Sequence, residues 1–172
     1  MIRMDYDWSK TAKPHQLEPD NPDWRMWVFQ GTRGAGVTRT GNEWVRSFAM
    51  KNPGCRILMV ARTASDVRES LVEGDSGILA ISPPSEKPTW SPALRRLEWP
   101  NGAIAFVTSA DEPNSLRGLQ ADATFWDSPS QRHLETLNNL LLATRLGDSP
   151  KIHIGGDVNR PGPVFDVLND HL

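Results

Sequence analysis

The sequence predicts an α/β fold, built as three layers around a mainly parallel sheet. Two patterns carry the prediction. Short apolar runs at 25–30, 57–61, 122–127 and 152–154 have the length of buried strands. Between and after them, apolar residues recur three and four apart, as on the buried face of a helix. Strands alternating with helices pair in parallel, because each helix carries the chain back to the same end of the sheet. With 172 residues the chain suffices for one such domain and is short for two. Residues 1–172 are therefore read as a single domain, with 1–24 as an N-terminal arm.

The elements follow in order. The arm is polar and holds Pro14, Pro19, Asp20, Pro22 and Asp23. Trp27, Val28 and Phe29 then make a buried strand that runs into Gly31. From Thr38 onward, Trp44, Val45, Phe48 and Ala49 mark a helix, which Asn52-Pro53-Gly54 stops with residues that continue a helix poorly. After the second strand, Thr63 and Ser65 are candidate N-caps for a helix with Val67, Leu71 and Val72 on one face, before Gly74. Four prolines within 82–92 predict an extended surface connection. Leu97 and Trp99, the turn Pro100-Asn101-Gly102, then Ile104 and Phe106 predict a β-hairpin. Leu134, Leu137, Leu140 and Leu141 mark an amphipathic helix ending near Gly147. The short strand at 152–154 meets Gly155-Gly156, and Val164, Phe165, Leu168 and Leu172 close the chain as a helix.

Composition narrows the function. With 38% hydrophobic and 23% charged residues the chain falls near the average for soluble globular proteins. No apolar run approaches the roughly 20 residues that cross a bilayer, and the first ten residues are too polar for a signal peptide. A single cysteine, Cys55, excludes an intrachain disulfide, and His15, His133, His153 and His171 are too dispersed for a local metal motif. The net charge of -2 leaves no global basic excess, so any nucleic-acid contact must be local. Arg62, Arg68, Arg95, Arg96, Arg117, Arg132 and Arg145 are candidates to meet phosphate or a neighbouring subunit, although solvated surface charge accounts for most of them.

The segment Gly31-Thr32-Arg33-Gly34-Ala35-Gly36-Val37-Thr38 fits the phosphate-binding template G-x-x-x-x-G-K-[ST] at every fixed position but one. Glycines let backbone N–H groups close around phosphate oxygens, the helix start adds a favourable dipole, and the Thr38 hydroxyl is placed to ligate Mg²⁺. Val37 stands where the template has lysine, and an aliphatic side chain cannot oppose charge developing during phosphoryl transfer. Weak binding and slow chemistry follow. Arg33 and Arg39 are candidates to supply part of the missing charge, against a plain reading of Arg33 as solvent-facing. Glycine-rich turns also serve close packing alone, so the loop leaves both readings open.

Longer runs around the loop carry a resemblance. WVFQGTRGAGVTRTGNEWVR at 27–46, RILMVARTASDVRESLVEGDSGIL at 56–79 and LRRLEWPNGAIAFVTSADEPNSLRGLQ at 94–120 are similar to the ATPase start of phage terminase large subunits. The likeness covers roughly 16–163. It implies a P-loop NTPase of the RecA-like kind with a β-hairpin insertion, ATP and Mg²⁺ as ligands, and partnership with double-stranded DNA, the terminase small subunit and portal, in a homo- or hetero-oligomeric ring in the host cytoplasm. Within DATFWDSP at 122–129, the resemblance makes Asp127 the aspartate that holds Mg²⁺ and puts Ser128 where the family has its catalytic glutamate. A hydroxyl cannot act as that base at neutral pH. The family's threonine-rich coupling motif falls on Ile154-Gly155-Gly156-Asp157, where it is absent, and Gln16 falls where such ATPases recognise adenine. The family's nuclease domain has no room in this length. The expectation is a packaging-motor ATPase core poor in or devoid of hydrolysis; the alternatives are a non-catalytic partner that keeps the fold, or a decayed fragment. A P-loop kinase shares the loop but accounts for neither the hairpin nor the SADEPNSLRG segment.

Overall fold

The computed structural model describes residues 6–129, 134–160 and 162–169; Arg132, His133, His171 and Leu172 lie outside them. The strands are β1 (Met26–Gly31), β2 (Arg56–Ala61), β3 (Thr89–Ser91), β4 (Arg96–Glu98), β5 (Ile104–Ser109), β6 (Ala123–Asp127) and β7 (Lys151–Asp157). They form one sheet in the order β1-β7-β6-β2-β5-β4-β3. The five strands from β1 to β5 in that order pair in parallel, and β4 and β3 extend the sheet antiparallel. The expected mainly parallel sheet with an added hairpin is what forms.

Helices are α1 (Trp8–Thr11), α2 (Val37–Lys51), α3 (Ala64–Asp66), α4 (Ile78–Ile81), α5 (Leu134–Ala143) and α6 (Pro163–Asn169). The alternation within β2 explains the layers. Ile57, Met59 and Ala61 join Trp44, Val45, Leu71 and Ile78 in a core on one face. Leu58 and Val60 join Leu137, Leu140, Val164 and Phe165 in a second core on the other. A strand buried on both faces must be apolar throughout, hence the unbroken run at 57–61. Close approach of α2 to the sheet depends on Gly41, where an added Cβ would lie 1.9 Å from the Phe125 ring.

Three local features depart from the sequence reading. The proline-rich connection at 82–92 contributes β3, because Trp90 sits opposite Leu97 and packs against the core. The helix after β2 widens beyond α3 into a π-helical turn, Val67–Val72, whose end is marked by a bond from Glu73 N to Arg68 O. Strand β7 continues through Gly155-Gly156 rather than stopping before them. Those glycines are needed there: a Cβ on Gly155 would lie 2.6 Å from Val37 Cγ1, and one on Gly156 would lie 2.1 Å from the Phe165 ring.

His153 occupies the centre of the aromatic core. Its ring stacks on Trp27 and Phe125, with centroids 4.0 and 5.2 Å away, and meets Trp44 edge-on. The imidazole Nδ1 lies 3.0 Å from the Trp27 carbonyl oxygen, which can only accept, so Nδ1 carries the proton. Burial pushes its pKa down to about 3, against the smaller opposing effect of that hydrogen bond. The unfolded chain binds a proton here below about pH 6.5 and the folded chain does not, so stability falls as pH drops through this window. The loss from this residue reaches about 3 kcal/mol by pH 4. Urea unfolding at pH 7 and pH 4 should show the native protein weakening toward acid, and His153→Phe weakening distinctly less; equal acid losses in both would refute the assignment.

Candidate phosphate-binding site

Strand order brings the carboxyl ends of β1, β7 and β6 together. Gly31 pairs with Asp157, and Asp127 pairs with Gly155. The glycine loop leaves β1 at this rim and turns tightly, with Ala35 N donating to Thr32 O at 2.9 Å. Gly34 and Gly36 take φ of 85° and 79°, a left-handed conformation that glycine adopts without strain. Gly36 is also closely approached, since a Cβ there would lie 2.8 Å from Gln16 Nε2. Helix α2 begins at Val37, so its amino-terminal N–H groups and positive dipole end point to the rim.

Beneath the loop, the Thr38 hydroxyl donates to Asp127 Oδ2 at 2.9 Å, and Ser128 Oγ donates to Oδ1 at 3.3 Å. Burial raises the Asp127 pKa to about 6 against the lowering effect of those two hydrogen bonds. A hydroxyl and a carboxylate side by side are oxygen donors suited to Mg²⁺, and a cation there would relieve a buried negative charge. Among the described residues no group of three or more His, Cys, Asp and Glu side chains converges on a metal position. Phosphate oxygens and water would have to complete the shell.

Two cavities open on this rim. The larger, about 790 Å³, includes Arg62, Asp66 and Asp127 in its wall. The smaller, about 320 Å³, lies against the loop from Gly31 to Arg39. Arg33, Thr38, Ser128 and Asp157 line both, so these four side chains surround the place where the cavities meet.

The sequence candidates divide accordingly. Val37 packs between the tips of β1 and β7, its Cγ2 lying 3.2 Å from where a Cβ on Gly31 would be. Ser128 holds a left-handed φ of 55° and donates its N–H to Gly155 O. Arg33 is exposed and faces both cavities. Arg39 borders the smaller cavity, but its guanidinium is engaged by the buried Glu43 at 2.7 Å and lies over the Trp8 ring. Gln16 is buried, accepts from Lys13 N and donates to Ala35 O at 3.0 Å, which ties the arm to the loop. Of the other arginines, Arg62 reaches the larger cavity while pairing with Asp66. Arg68, Arg95 and Arg117 form exposed surface ion pairs, and the half-buried Arg96 pairs with Glu98 beside it on β4; solvent screening leaves such pairs little weight. Asp157 and Asp66 were not anticipated. A carboxylate at a strand end is a usable signal for Asp157, whereas nothing local in the sequence distinguishes Asp66.

Residues 28–154 match the family described as terminase large subunit, T4likevirus-type, N-terminal. The chain belongs to the terminase large-subunit family. No curated protein sequence matches it significantly. Among solved structures, the terminase domain is similar to the HK97 bacteriophage large terminase, with a TM-score of 0.68 at 14% identity over 88% of this chain and 33% of that one. It is similar to the large terminase of a thermophilic bacteriophage, solved in complex with ATP-gamma-S, with a TM-score of 0.64 at 13% identity over 88% and 36%. It is also similar to the Thermus phage P74-26 large terminase ATPase domain, with a TM-score of 0.55 at 15% identity over 76% and 59%. At these identities the likeness is one of fold. This terminase chain thus spans 59% of the P74-26 ATPase domain and about a third of the other two proteins. Among the described residues, no helix is long and apolar enough to cross a membrane.

The Asp127 carboxyl gives a test of the site's electrostatics. Its pKa is raised in the folded state, so the favourable protonated form is lost as pH rises through about 6, and stability falls with it. At pH 7 the charged form costs the fold on the order of 3 kcal/mol. Asp127→Asn, which keeps an acceptor for Thr38, should melt higher than the native protein at pH 7.5 and lose that advantage toward pH 5. A variant that melts lower at pH 7.5 would show that the charge is already compensated.

Proposed function

We propose that this chain is the nucleotide-binding core of a DNA-packaging motor, holding ATP with Mg²⁺ weakly and hydrolysing it slowly or not at all. The Thr38–Asp127 hydrogen bond beneath the glycine loop carries the reading. It sets a Mg²⁺-type donor pair directly under backbone N–H groups suited to phosphate. The thermophilic bacteriophage terminase solved with ATP-gamma-S supports the choice of nucleotide. A third cavity, about 390 Å³, runs beside the arm between Trp27, Trp44 and Gln16, with Glu43 and Arg46 also in its wall. Loss of one transition-state electrostatic donor slows an enzyme about 10² to 10³-fold, and loss of a general base about 10² to 10⁴-fold. Val37 and Ser128 are those two losses, and they need not multiply. Arg33, facing both cavities, supplies cationic charge in the lysine's absence.

In this reading the domain works in the host cytoplasm, in a ring on double-stranded DNA with the small subunit and portal. A second reading, a non-catalytic subunit that pairs with an active motor, is favoured by the tight packing at the altered positions. Val37 fills the space left by Gly155, and Phe165 the space left by Gly156. Calorimetric titration of ATP with Mg²⁺ separates the possibilities. The native chain should bind weakly, Val37→Lys about tenfold more tightly, and the Val37→Lys, Ser128→Glu double variant should release phosphate faster than either. Failure of both the native chain and Val37→Lys to bind would remove the nucleotide reading. Co-purification of an inactive native chain with a packaging ATPase would then establish the second.

A further inference from the structure

Four side chains stand where the two rim cavities meet, and their chemistry differs. Arg33 is a cation, Thr38 is engaged with Asp127, and Ser128 donates to the same carboxylate. Asp157 is the one carboxylate among the four. It ends β7 directly opposite Gly31, the first residue of the loop, and two residues beyond the partner of Asp127. Its orientation is held locally: Oδ1 accepts the Asn159 N–H at 2.9 Å, and Arg160 Nε lies 4.0 Å from Oδ2. The side chain is 33% exposed, so it reaches water as well as the cavity wall.

We propose that Asp157 takes the place of the missing glutamate and accepts the proton of the water that attacks the terminal phosphate. This role rests on the nucleotide reading given under Proposed function. The water oxygen bonds to the terminal phosphorus as the bond from that phosphorus to the bridging oxygen breaks. The electron pair of the broken bond leaves with the nucleoside diphosphate, and the water's proton passes to the Asp157 carboxylate and then to solvent. Inorganic phosphate and the diphosphate are the products, and nothing is oxidised or reduced. A carboxylate oxygen can take up a proton from water where the Ser128 hydroxyl cannot. The same placement has a cost, since a negative group beside the terminal phosphate repels it. The site should therefore favour ATP over ADP less than its cations alone would make it.

That repulsion supplies a readout separate from turnover. The full chain, Asp157→Asn and Asp157→Glu are compared for affinity toward ATP and ADP, each with Mg²⁺, and for phosphate release. Asp157→Asn should raise affinity for ATP relative to ADP by about threefold to tenfold while lowering phosphate release about 10²-fold or more. Asp157→Glu should retain most of the native release. The role is overturned if the native chain binds ATP but releases no phosphate, if Asp157→Asn releases phosphate as fast as the native chain, or if its preference for ATP over ADP is unmoved. Absence of binding by both nucleotides to every form overturns the nucleotide reading itself, and this role with it.

Discussion

Insertion of β7 between β1 and β6 is the constraint on which the rim depends. Parallel pairing on both sides of β7 aligns three strand ends, so the loop after β1, the carboxylate ending β6 and the carboxylate ending β7 share one edge. An antiparallel neighbour would have sent one of them to the opposite end of the sheet. The same strand carries His153 into the aromatic core between Trp27 on β1 and Phe125 on β6. The buried ring and the exposed rim are thus two consequences of one strand's position, about 13 Å apart along an extended chain of four residues.

Val37 and Gly155 belong together physically. A valine at the first position of α2 branches at Cβ, and its methyls fill the gap between the tips of β1 and β7. Any side chain at 155 would then overlap Val37 Cγ1 at 2.6 Å. The branched side chain at 37 and the absent one at 155 therefore fit each other. Phe165 does the same at Gly156 from α6, on the other face. Both glycines are thus closely packed, Gly155 against α2 and Gly156 against α6.

Most of the fold was legible because its signals are local. A two-sided strand such as β2 must be apolar throughout, and Pro100-Asn101-Gly102 between alternating residues specifies the turn joining β4 to β5. The π-helical turn was hidden because its pattern, Val67, Leu71 and Val72, is also that of an α-helix. β3 was hidden because prolines flank Trp90 on both sides, and only pairing with Leu97 makes it a strand. At the site, Gly31–Thr38 and Asp127 could be named in advance from motif spacing and resemblance. The engagement of Gln16 with Ala35 O joins residues 19 apart and is written in no local pattern, whereas the Arg39–Glu43 pair, four apart on α2, is one that helical spacing alone offers. Asp157 was read as part of an absence, and its meaning depends on which strand lies beside β1.

The electrostatics of two buried groups, His153 and Asp127, argue in opposite directions, and the contrast is informative. His153 is neutral and stacked, so its burial supports the fold at neutral pH and costs stability only in acid. Asp127 is charged at neutral pH, and there its burial works against the fold. For stability alone, asparagine at 127 would keep an acceptor for the Thr38 hydroxyl and give up only the longer bond from Ser128. What a carboxylate offers and an amide does not is a full negative charge beside a hydroxyl, 2.9 Å from it, under an N–H-lined loop. That combination is useful to a divalent cation held with phosphate. The charge at Asp127 is therefore the feature of the rim that packing cannot explain.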